Sequence, residues 1–539
     1  MFYKLFLTIP FASVCTAGMS QTNEKHNIVY VLLDDLAYDA IESTNRYPFL
    51  KTPNIDRLQS EGITFDNFFC TMALSSPSRS CMLTGMYPHK HGVTQNDSRV
   101  DANWEKYPPY SSYLQKAGYE TAFIGKMHQA ALWDKDQVRP GFDYWLGFRH
   151  QGDYFKNTLN ENGKEFYKEG YITDVLTDYA INWLDKRDKK KPFCLLVHHK
   201  APHRNFMPES KYYDLYEDSE FPYPDNFFDD YTSRGPAAKS QQMSIMHDMT
   251  MGYDLKVNEL NDNLPPHLEW SKADWEKARA RMTPKQLQAW DAAYGPRNKA
   301  MLEANLSAKE LAKWKYQRYI KDYMRTIKSV DDQIGRLLDY LEENKLMDNT
   351  IIVYTSDQGF YMGEHGWFDK RFMYEESFRT PLLIMYPKMI KAGSVCNELV
   401  QNIDYAPTYL ALAGVESPVK MDGRSLVPLF SGDKPQEWRE NLYYHYYDYP
   451  AIHMVRRHDG VFDGRYKLIH FYGEGKGKDE GADIEYFELY DLLTDPHEMK
   501  NVYNDTAYKE HADRLRKELH GYQQDLDIVE GNLNLNEKI

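Results

Sequence analysis

The chain has 539 residues, of which 42% are hydrophobic and 27% charged, which is ample for a large core and predicts two domains. Its formal net charge of -15 argues against nucleic acid as a partner. The five cysteines form no C-x-x-C pair, which argues against a zinc ribbon and a disulfide framework.

Residues 1–20 have the pattern of an export signal. Lys4 is followed by a mostly apolar stretch to Val14 and then by small residues up to Ser20. We therefore predict export to the periplasm. Cys15 leaves a lipoprotein anchor open, although Val14 before it fits that signal poorly. Beyond the signal no apolar run is long enough to span a membrane, so no transmembrane segment is predicted.

The first predicted strand, at 27–33, is a nearly continuous apolar run of β-branched and large residues, which is typical of a buried parallel strand. It ends in Asp34 and Asp35. In an open α/β sheet, ligands bind at the carboxyl ends of the strands. Two adjacent carboxylates repel unless a hard cation separates them. The pair therefore indicates a metal site, with a solvated strand end as the alternative.

Residues 75–85 read SSPSRSCMLTG. The proline holds the residue before it in an extended conformation, so Ser76 or Ser78 can cap a short helix that ends at the glycine. Ser75 would then lie beside the helix N-terminus, where free N–H groups favour an anion. Arg79 adds a cation whose fork suits a tetrahedral oxyanion. An ordinary turn that caps a surface helix is the alternative.

Four further buried strands are predicted, and polar side chains follow three of them. The strand at 121–125 precedes Lys126 and His128, and the strand at 192–197 precedes His198, His199 and His203. The strand at 350–355 precedes Asp357 and Gln358, and the last strand spans 381–386. We expect these strand ends to converge on one oxyanion site. The oxygen ligands favour calcium, and the three histidines leave zinc as the alternative.

Residues 205–310 are polar, aromatic and charged, and we interpret them as an insertion that shapes the substrate pocket. N-cap chemistry predicts helix starts at Ser271, Thr283 and Ser307. The last of these opens a long helix whose apolar positions within 320–341 recur at helical spacing, which predicts a core-facing surface.

After about residue 435 the pattern changes to short β-rich runs and Asp-Gly turn pairs. A polar amphipathic helix follows at 506–519, with Asp505 or Thr506 as its cap. We therefore divide the chain into a signal peptide at 1–20, a catalytic domain at 21–435 and a C-terminal α+β subdomain at 436–539.

The run at 75–85 resembles the signature of the type I sulfatases, C/S-x-P-S-R-x-x-x-x-T-G. In that family the first Cys or Ser is oxidised to formylglycine (3-oxoalanine), an aldehyde that hydrates to a gem-diol, and Ser75 stands at that position. The serine form resembles the bacterial branch, which implies a serine-type formylglycine-generating maturase as partner. The resemblance also implies an α/β, alkaline-phosphatase-like fold: a mixed, mostly parallel sheet flanked by helices, with a smaller C-terminal antiparallel sheet and helix.

The resemblance assigns roles to the residues that match it. The implied Ca2+ ligands are Asp34, Asp35, position 75, Asp357 and Gln358, the last standing where asparagine or histidine is more usual. The implied sulfate-binding cations are Arg79, Lys126 and Lys370. In the implied mechanism a hydroxyl of hydrated formylglycine attacks sulfur, and His203 or Lys370 protonates the leaving oxygen. His128 then removes a proton so that sulfate leaves.

The predicted function is hydrolysis of O-sulfate esters of carbohydrates. Aromatic residues reach 14%, and such rings often line sugar sites, although cores use them equally. The stretch 366–377 resembles bacterial sulfatases that act on host glycans such as glycosaminoglycan or mucin, with the 6-O-sulfate of N-acetylglucosamine favoured and galactose or galactosamine sulfate as runner-up. The candidate sugar contacts are His365, Arg371, His453 and Arg457. A phosphoester hydrolase of the same superfamily and a non-catalytic glycan binder with unmodified Ser75 are the alternatives.

Overall fold

The computed structural model describes residues 25–96, 102–129, 139–260, 264–432, 434–473 and 484–528. The predicted export signal at 1–20 lies outside the described residues. Among the residues described, no helix combines the length and the apolar character needed to cross a membrane.

The described strands, in chain order, are β1 (Asn27–Asp34), β2 (Ile63–Phe65), β3 (Phe68–Phe69), β4 (Glu120–Lys126), β5 (Tyr144–Phe148), β6 (Phe155–Glu161), β7 (Lys164–Tyr171), β8 (Phe193–Pro202), β9 (Thr350–Ser356), β10 (Leu382–Met385), β11 (Ser394–Cys396), β12 (Val400–Gln401), β13 (Leu442–Tyr446), β14 (His458–Phe462), β15 (Tyr466–Gly473) and β16 (Ile484–Asp491).

The described helices are α1 (Pro53–Glu61), α2 (Ser75–Thr84), α3 (Pro88–His91), α4 (Tyr110–Lys116), α5 (Ile172–Lys186), α6 (Pro236–Ser240), α7 (Trp270–Ala280), α8 (Pro284–Glu303), α9 (Ala308–Glu343), α10 (Glu375–Phe378), α11 (Tyr405–Leu412) and α12 (Lys509–Asp525).

A large mixed sheet has the strand order β11-β2-β10-β9-β1-β8-β4-β5-β6-β7. Its centre is parallel: β1 pairs with both β8 and β9, and β4 pairs with β8 and β5, all in parallel. The strands predicted at 27–33, 121–125, 192–197, 350–355 and 381–386 all lie in this sheet. Parallel neighbours share their carboxyl edge, so the polar residues after β1, β4, β8 and β9 meet there.

The central strand β1 is buried on both faces. Val29 and Val31 pack into one hydrophobic cluster, with helix α9, whereas Ile28 and Tyr30 pack into a second cluster. A strand covered on both faces needs apolar side chains at every position, which explains the continuous apolar run. The apolar positions predicted at 320–341 of α9 are buried in the first cluster, so that prediction is confirmed.

The C-terminal part forms an antiparallel sheet in the order β13-β14-β15-β16. Helix α12 packs on it through Leu515 and Leu519, which share a cluster with Val461 and Leu468 of the sheet. The predicted fold class is therefore confirmed. The domain boundary at 435 stays a prediction.

Of the three helix starts predicted in the 205–310 insertion, two are present as expected and one is wrong. Thr283 and Ser307 each form a capping box. Helix α7 begins at Trp270, and the Ser271 hydroxyl instead donates to the carbonyl of Leu268 at 2.7 Å, so a start at Ser271 is wrong.

Helix α2 begins at Ser75 itself, after an extended Leu74 that gives no side-chain cap. The predicted caps Ser76 and Ser78 are wrong because their hydroxyls make tertiary contacts, Ser76 with the carbonyl of His128 and Ser78 with that of Asp357. The predicted stop is correct: Gly85 is left-handed, at φ 69°, and its N–H donates to a carbonyl of the last turn.

Candidate active site

The shared carboxyl edge of the parallel strands forms a buried polar site. Its members come from the ends of β1, β4, β8 and β9, from the first turns of α2 and from the loop before α10. The buried side chains there are Asp34, Asp35, Ser75, Arg79, Lys126, His128, His203, Asp357, Gln358 and Lys370. The sequence places these residues over more than 300 positions, and the sheet topology brings them together.

Ser75 lies between two of the predicted metal ligands. Its hydroxyl donates to Asp34 Oδ1 at 3.1 Å and accepts from Gln358 Nε2 at 3.3 Å. The same Gln358 amide donates to Asp35 Oδ1 at 2.5 Å. Gln358 Oε1 is buried without a hydrogen-bond partner. A buried amide oxygen with no donor is poorly satisfied by protein alone and suits a cation.

The adjacent carboxylates of Asp34 and Asp35 each contact a lysine. Lys126 Nζ contacts Asp34 Oδ2, and Lys370 Nζ lies 2.5 and 2.6 Å from the two oxygens of Asp35. Burial opposes ionisation of Asp34, but Lys126 and the neighbouring cations hold its pKa well below the ordinary value. Burial raises the pKa of Asp35 to about 7 despite Lys370. Environments that push two neighbouring pKa values apart are typical of functional sites.

Arg79 is fully buried and fixed on three sides. Its Nε and Nη2 lie 3.0 and 2.9 Å from Asp357 Oδ2. Its Nη1 donates to the Lys126 carbonyl at 2.6 Å and lies 3.3 Å from His198 Nδ1. The guanidinium therefore ties the ends of β4, β8 and β9 together and keeps a permanent positive charge in the site.

His128 and Lys126 are joined by Gln151, a residue just after β5. Gln151 Oε1 accepts from Lys126 Nζ, and its Nε2 lies 3.2 Å from His128 Nε2. Because an amide nitrogen only donates, His128 Nε2 is the acceptor in this contact. Burial keeps the pKa of His128 well below its ordinary value, so the imidazole is neutral and available as a base.

Gly125, immediately before Lys126, permits a close approach between β4 and β8. Its φ is +119°, and a Cβ built there would lie 1.9 Å from the carbonyl oxygen of His198. Only glycine fits this contact, which positions both residues of the Lys126 and His128 pair.

His203 turns its Nε2 toward the carboxylates. Its Nδ1 lies 2.6 Å from the Arg204 carbonyl, so Nδ1 carries a proton, and its Nε2 lies 3.6 Å from Asp35 Oδ2. Asp34, Asp35 and His203 offer ligand atoms within 4.8 Å of one another, the arrangement of a metal site. Of the three histidines considered for zinc, only His203 belongs to that cluster among the described residues, and His198 instead contacts Arg79.

Asp369, next to Lys370, links two of the predicted sugar contacts. Arg371 Nε donates to its Oδ1 at 3.0 Å, and His453 Nε2 lies 3.3 Å from its Oδ2. His453 also lies 3.3 Å from Arg204, which follows His203. Arg371 and His453 are therefore brought together at the edge of the site, although they come from different parts of the chain.

The other two predicted sugar contacts lie in different surroundings. His365 is fully buried among aromatic rings, with Nδ1 2.9 Å from Asp229. Arg457 donates to the carbonyls of Tyr447 and Tyr449, at 3.2 and 2.6 Å, and lines a separate cavity on the C-terminal sheet. The structure does not bring these two side chains to Lys370 and Asp35.

Comparisons with known proteins agree with this geometry. The profile of the family described as Sulfatase matches residues 26–415, which is most of the chain. This chain belongs to the sulfatase family. A second profile, N-sulphoglucosamine sulphohydrolase, C-terminal, matches residues 363–525. The protein is thus a sulfuric ester hydrolase, which confirms the predicted family and enzyme class.

Individual relatives cover nearly all of this sulfatase. An N-acetylglucosamine-6-O-sulfatase of Bacteroides thetaiotaomicron is 43% identical over 527 residues, 96% of this chain and 90% of the relative. A solved structure of a protein in complex with its substrate D-glucosamine-2-N,6-O-disulfate is 42% identical, with a TM-score of 0.86, covering 96% and 100% of the two chains. A phosphonate monoester hydrolase of Agrobacterium radiobacter, 19% identical with a TM-score of 0.64 over 93% and 96%, shares the fold.

Gln151 and Asp369 are site residues that motif reasoning did not assign. Gln151 lies in a turn with no motif, and only the pairing of β4 with β5 brings it beside Lys126. Asp369 lies next to a motif lysine, but its role depends on His453, which is distant in sequence. A polar residue flanking a motif residue is the one signal that could have indicated Asp369.

Proposed function

We propose that this sulfatase removes the 6-O-sulfate of glucosamine-type sugars from sulfated glycans, after export and after oxidation of Ser75 to formylglycine by a serine-type maturase. The relatives that are about 40% identical over nearly the whole chain support the sugar and the position of the sulfate. The serine at position 75 of the signature supports the maturase.

The residues around Ser75 fit a calcium ion. Three buried carboxylates, Asp34, Asp35 and Asp357, and the unpartnered Gln358 Oε1 provide the oxygen ligands that calcium prefers. Their present cationic partners, such as Lys126 and Lys370, would then be released toward a sulfate. When bound, calcium offsets negative charge on the sulfuryl oxygens, and formylglycine supplies the attacking hydroxyl.

The chain's own cations hold and polarise the sulfate. Arg79 is fixed by Asp357, and Lys126 and Lys370 reach the end of the same strand through Asp34 and Asp35. Such preorganised charges in a buried site stabilise the developing charge without reorganising.

Two histidines move the protons. His203 is oriented by the Arg204 carbonyl so that its Nε2 faces the site. Burial lowers its pKa, so it must take up a second proton, at Nε2, as the anionic substrate binds, and it then donates that proton to the leaving sugar oxygen. Burial lowers the pKa of Lys370, but Asp35, Asp369 and Asp34 together raise it above its ordinary value, so Lys370 keeps its proton and acts as a charge. His128, accepting at Nε2 through its contact with Gln151, takes the proton of the remaining hydroxyl as sulfate leaves.

The single observation that carries this proposal is the position of Ser75. Its hydroxyl lies between Asp34 and Gln358 at the N-terminus of α2. Asp34 in turn contacts Arg79 and Lys126, and the Gln358 amide contacts Asp35, the partner of Lys370. A structural serine does not need three buried carboxylates and three buried cations around it.

The test has two parts. Mass analysis of the peptide containing residue 75, from the native host, should show the loss of two hydrogens relative to serine. The mature enzyme should then hydrolyse N-acetylglucosamine-6-O-sulfate much faster than 4-O-sulfated galactosamine or an aryl phosphate. Unmodified serine in active enzyme would exclude the formylglycine chemistry, and equal rates on all substrates would exclude the specificity.

The role of His203 can be separated from that of Lys370. A proton donor matters most for a poor leaving group, so His203→Ala should lose far less activity on nitrophenyl sulfate than on the sugar sulfate. Lys370→Ala should lose activity on both, because sulfate binding is common to them. The opposite pattern would make Lys370 the acid.

A further inference from the structure

A cavity of about 400 Å³ lies beside the candidate active site. The loop 149–154 between β5 and β6 and the first residues of β6 form one wall, and helix α7 of the 205–310 insertion forms another. Lys200 and Asn205 also line it. Its volume is within the range of small-molecule sites in proteins.

The cavity shares residues with the catalytic groups. Gln151 lines the cavity, while its side chain contacts Lys126 and His128. Asn205 follows His203 by two residues, so their Cα atoms are no more than about 7 Å apart. A substrate held by the strand edge can therefore extend into the cavity.

The cavity wall contains a buried donor without a partner, on Asn205, and a buried cation, Lys200. Asn205 is 4% exposed, and its Nδ2 has no hydrogen-bond partner. Lys200 is 2% exposed; its Nζ donates to the carbonyls of Gln151 and Arg204 at 3.1 and 3.4 Å and lies 5.0 Å from the centre of the Tyr154 ring, so it brings a buried cation to the cavity wall. Buried donors without acceptors are costly unless a ligand satisfies them.

The acidic groups of the cavity wall are mostly paired already. Asp153 is 2.9 Å from Arg281, and Glu165 is 2.9 Å from Arg149. The third lining carboxylate, Asp274, is exposed on α7, as is Lys277 one turn further on. Asn205 and the two lysines that line the cavity, Lys200 and Lys277, thus favour a negatively charged ligand group that accepts hydrogen bonds.

We propose that this cavity binds a second anionic group of the substrate, either another sulfate on the reacting sugar or the carboxylate of an adjoining uronic acid. This inference deepens the proposed function and rests on it. The cavity would then select highly charged glycan fragments over singly sulfated sugars. A charge-assisted hydrogen bond from a buried donor supports about tenfold selectivity in binding.

The experiment measures binding separately from hydrolysis. All proteins carry Ser75→Ala, which stops turnover, and calorimetry gives the Kd of three sugars. These are N-acetylglucosamine-6-O-sulfate, glucosamine with 2-N- and 6-O-sulfates, and a disaccharide of 6-O-sulfated N-acetylglucosamine with a uronic acid. The disulfated sugar tests the sulfate as the second anion, and the disaccharide tests the carboxylate.

We expect at least one of the two sugars that carry a second anionic group to bind about tenfold tighter than N-acetylglucosamine-6-O-sulfate. Lys277→Ala and Asn205→Leu should each reduce that preference, leaving the Kd of N-acetylglucosamine-6-O-sulfate within about twofold. Lys285→Ala, an exposed lysine at the start of α8, is the matched control and should change nothing. Thermal melting checks each fold, and the exposed Lys277 provides a variant that folds even if Asn205→Leu does not.

Equal affinity for all three sugars, or a preference that survives the Lys277 change in folded protein, would overturn the cavity assignment. Failure of the proposed function looks different. In that case the sugars with a second anionic group still bind more tightly, but the mature enzyme with oxidised residue 75 does not hydrolyse the 6-O-sulfate.

Discussion

Replacing Asp357 with asparagine should remove activity and also weaken the fold. Asp357 is fully buried, and its Oδ2 lies 3.0 and 2.9 Å from two nitrogens of Arg79, which is itself fully buried. Removing the Asp357 charge leaves Arg79 with only the longer contact to Asp34, at 3.5 Å, and breaking a buried pair costs up to about 3–5 kcal/mol. Unfolding entropy of about 2.1 cal/mol/K per residue gives roughly 1 kcal/mol/K for a chain of this length, so the midpoint should fall by about 3–5 °C.

Asp322→Asn provides the matched control. Asp322 is also fully buried and lies 2.9 Å from Arg325, but this pair is in helix α9, away from the strand edge. The two variants should lose similar thermal stability. Only Asp357→Asn should lose turnover and bound calcium, measured on the matured enzyme by hydrolysis of a sugar sulfate and by elemental analysis.

Two results would refute this reasoning. Normal turnover and metal content in Asp357→Asn would show that this carboxylate is neither a calcium ligand nor the anchor of Arg79. An equal loss of activity in Asp322→Asn would show that the activity responds to global stability and not to the site.

Three further predictions concern other parts of the chain. Ser75→Ala should be inactive yet melt within a few degrees of the parent, because it loses two hydrogen bonds worth about 1 kcal/mol each; parental turnover would contradict it. Gly125→Ala should lower both stability and turnover, since its Cβ would meet the His198 carbonyl at 1.9 Å; an unchanged melting curve would contradict the close contact. His470 contacts two carboxylates, at 3.0 and 2.5 Å, which outweigh burial and raise its pKa. Its stabilisation is complete below about pH 6.5 and is lost as pH rises through the raised pKa, so His470→Gln should melt lower than the parent at pH 5.5 and equally at high pH. A difference in melting temperature between His470→Gln and the parent that does not depend on pH would contradict a stabilising charge on His470.

The sequence was sufficient to predict the large sheet and the residues carried by motifs. A short, continuous run of β-branched and large apolar residues such as 27–33 favours a strand that is covered on both faces, and β1 is such a strand. The polar residues at the carboxyl ends of such strands then lie close together, because parallel strands share that edge of the sheet. Asp34, Lys126 and Asp357 meet as expected for that reason.

Local chemistry was a poorer guide where a side chain had a long-range partner. Ser76 and Ser78 have good capping chemistry, yet their hydroxyls bind carbonyls from β4 and from the residue after β9. Arg457 looked like a sugar contact in sequence, but the two carbonyls that it binds are defined by the path of the chain after β13. Gln151 gave no signal, because its contact depends on strand pairing alone.

The complete burial of Ser75 has a consequence for the order of events in the life of the protein. All ten residues of the helix that it begins are buried, and its hydroxyl contacts residues 41 positions earlier and 283 positions later in the chain. If Ser75 is oxidised as proposed, a maturing enzyme would have to reach it before the sheet closes around it. A molecule that folded first would then keep its serine, and the active fraction of a preparation would depend on the relative rates of oxidation and folding.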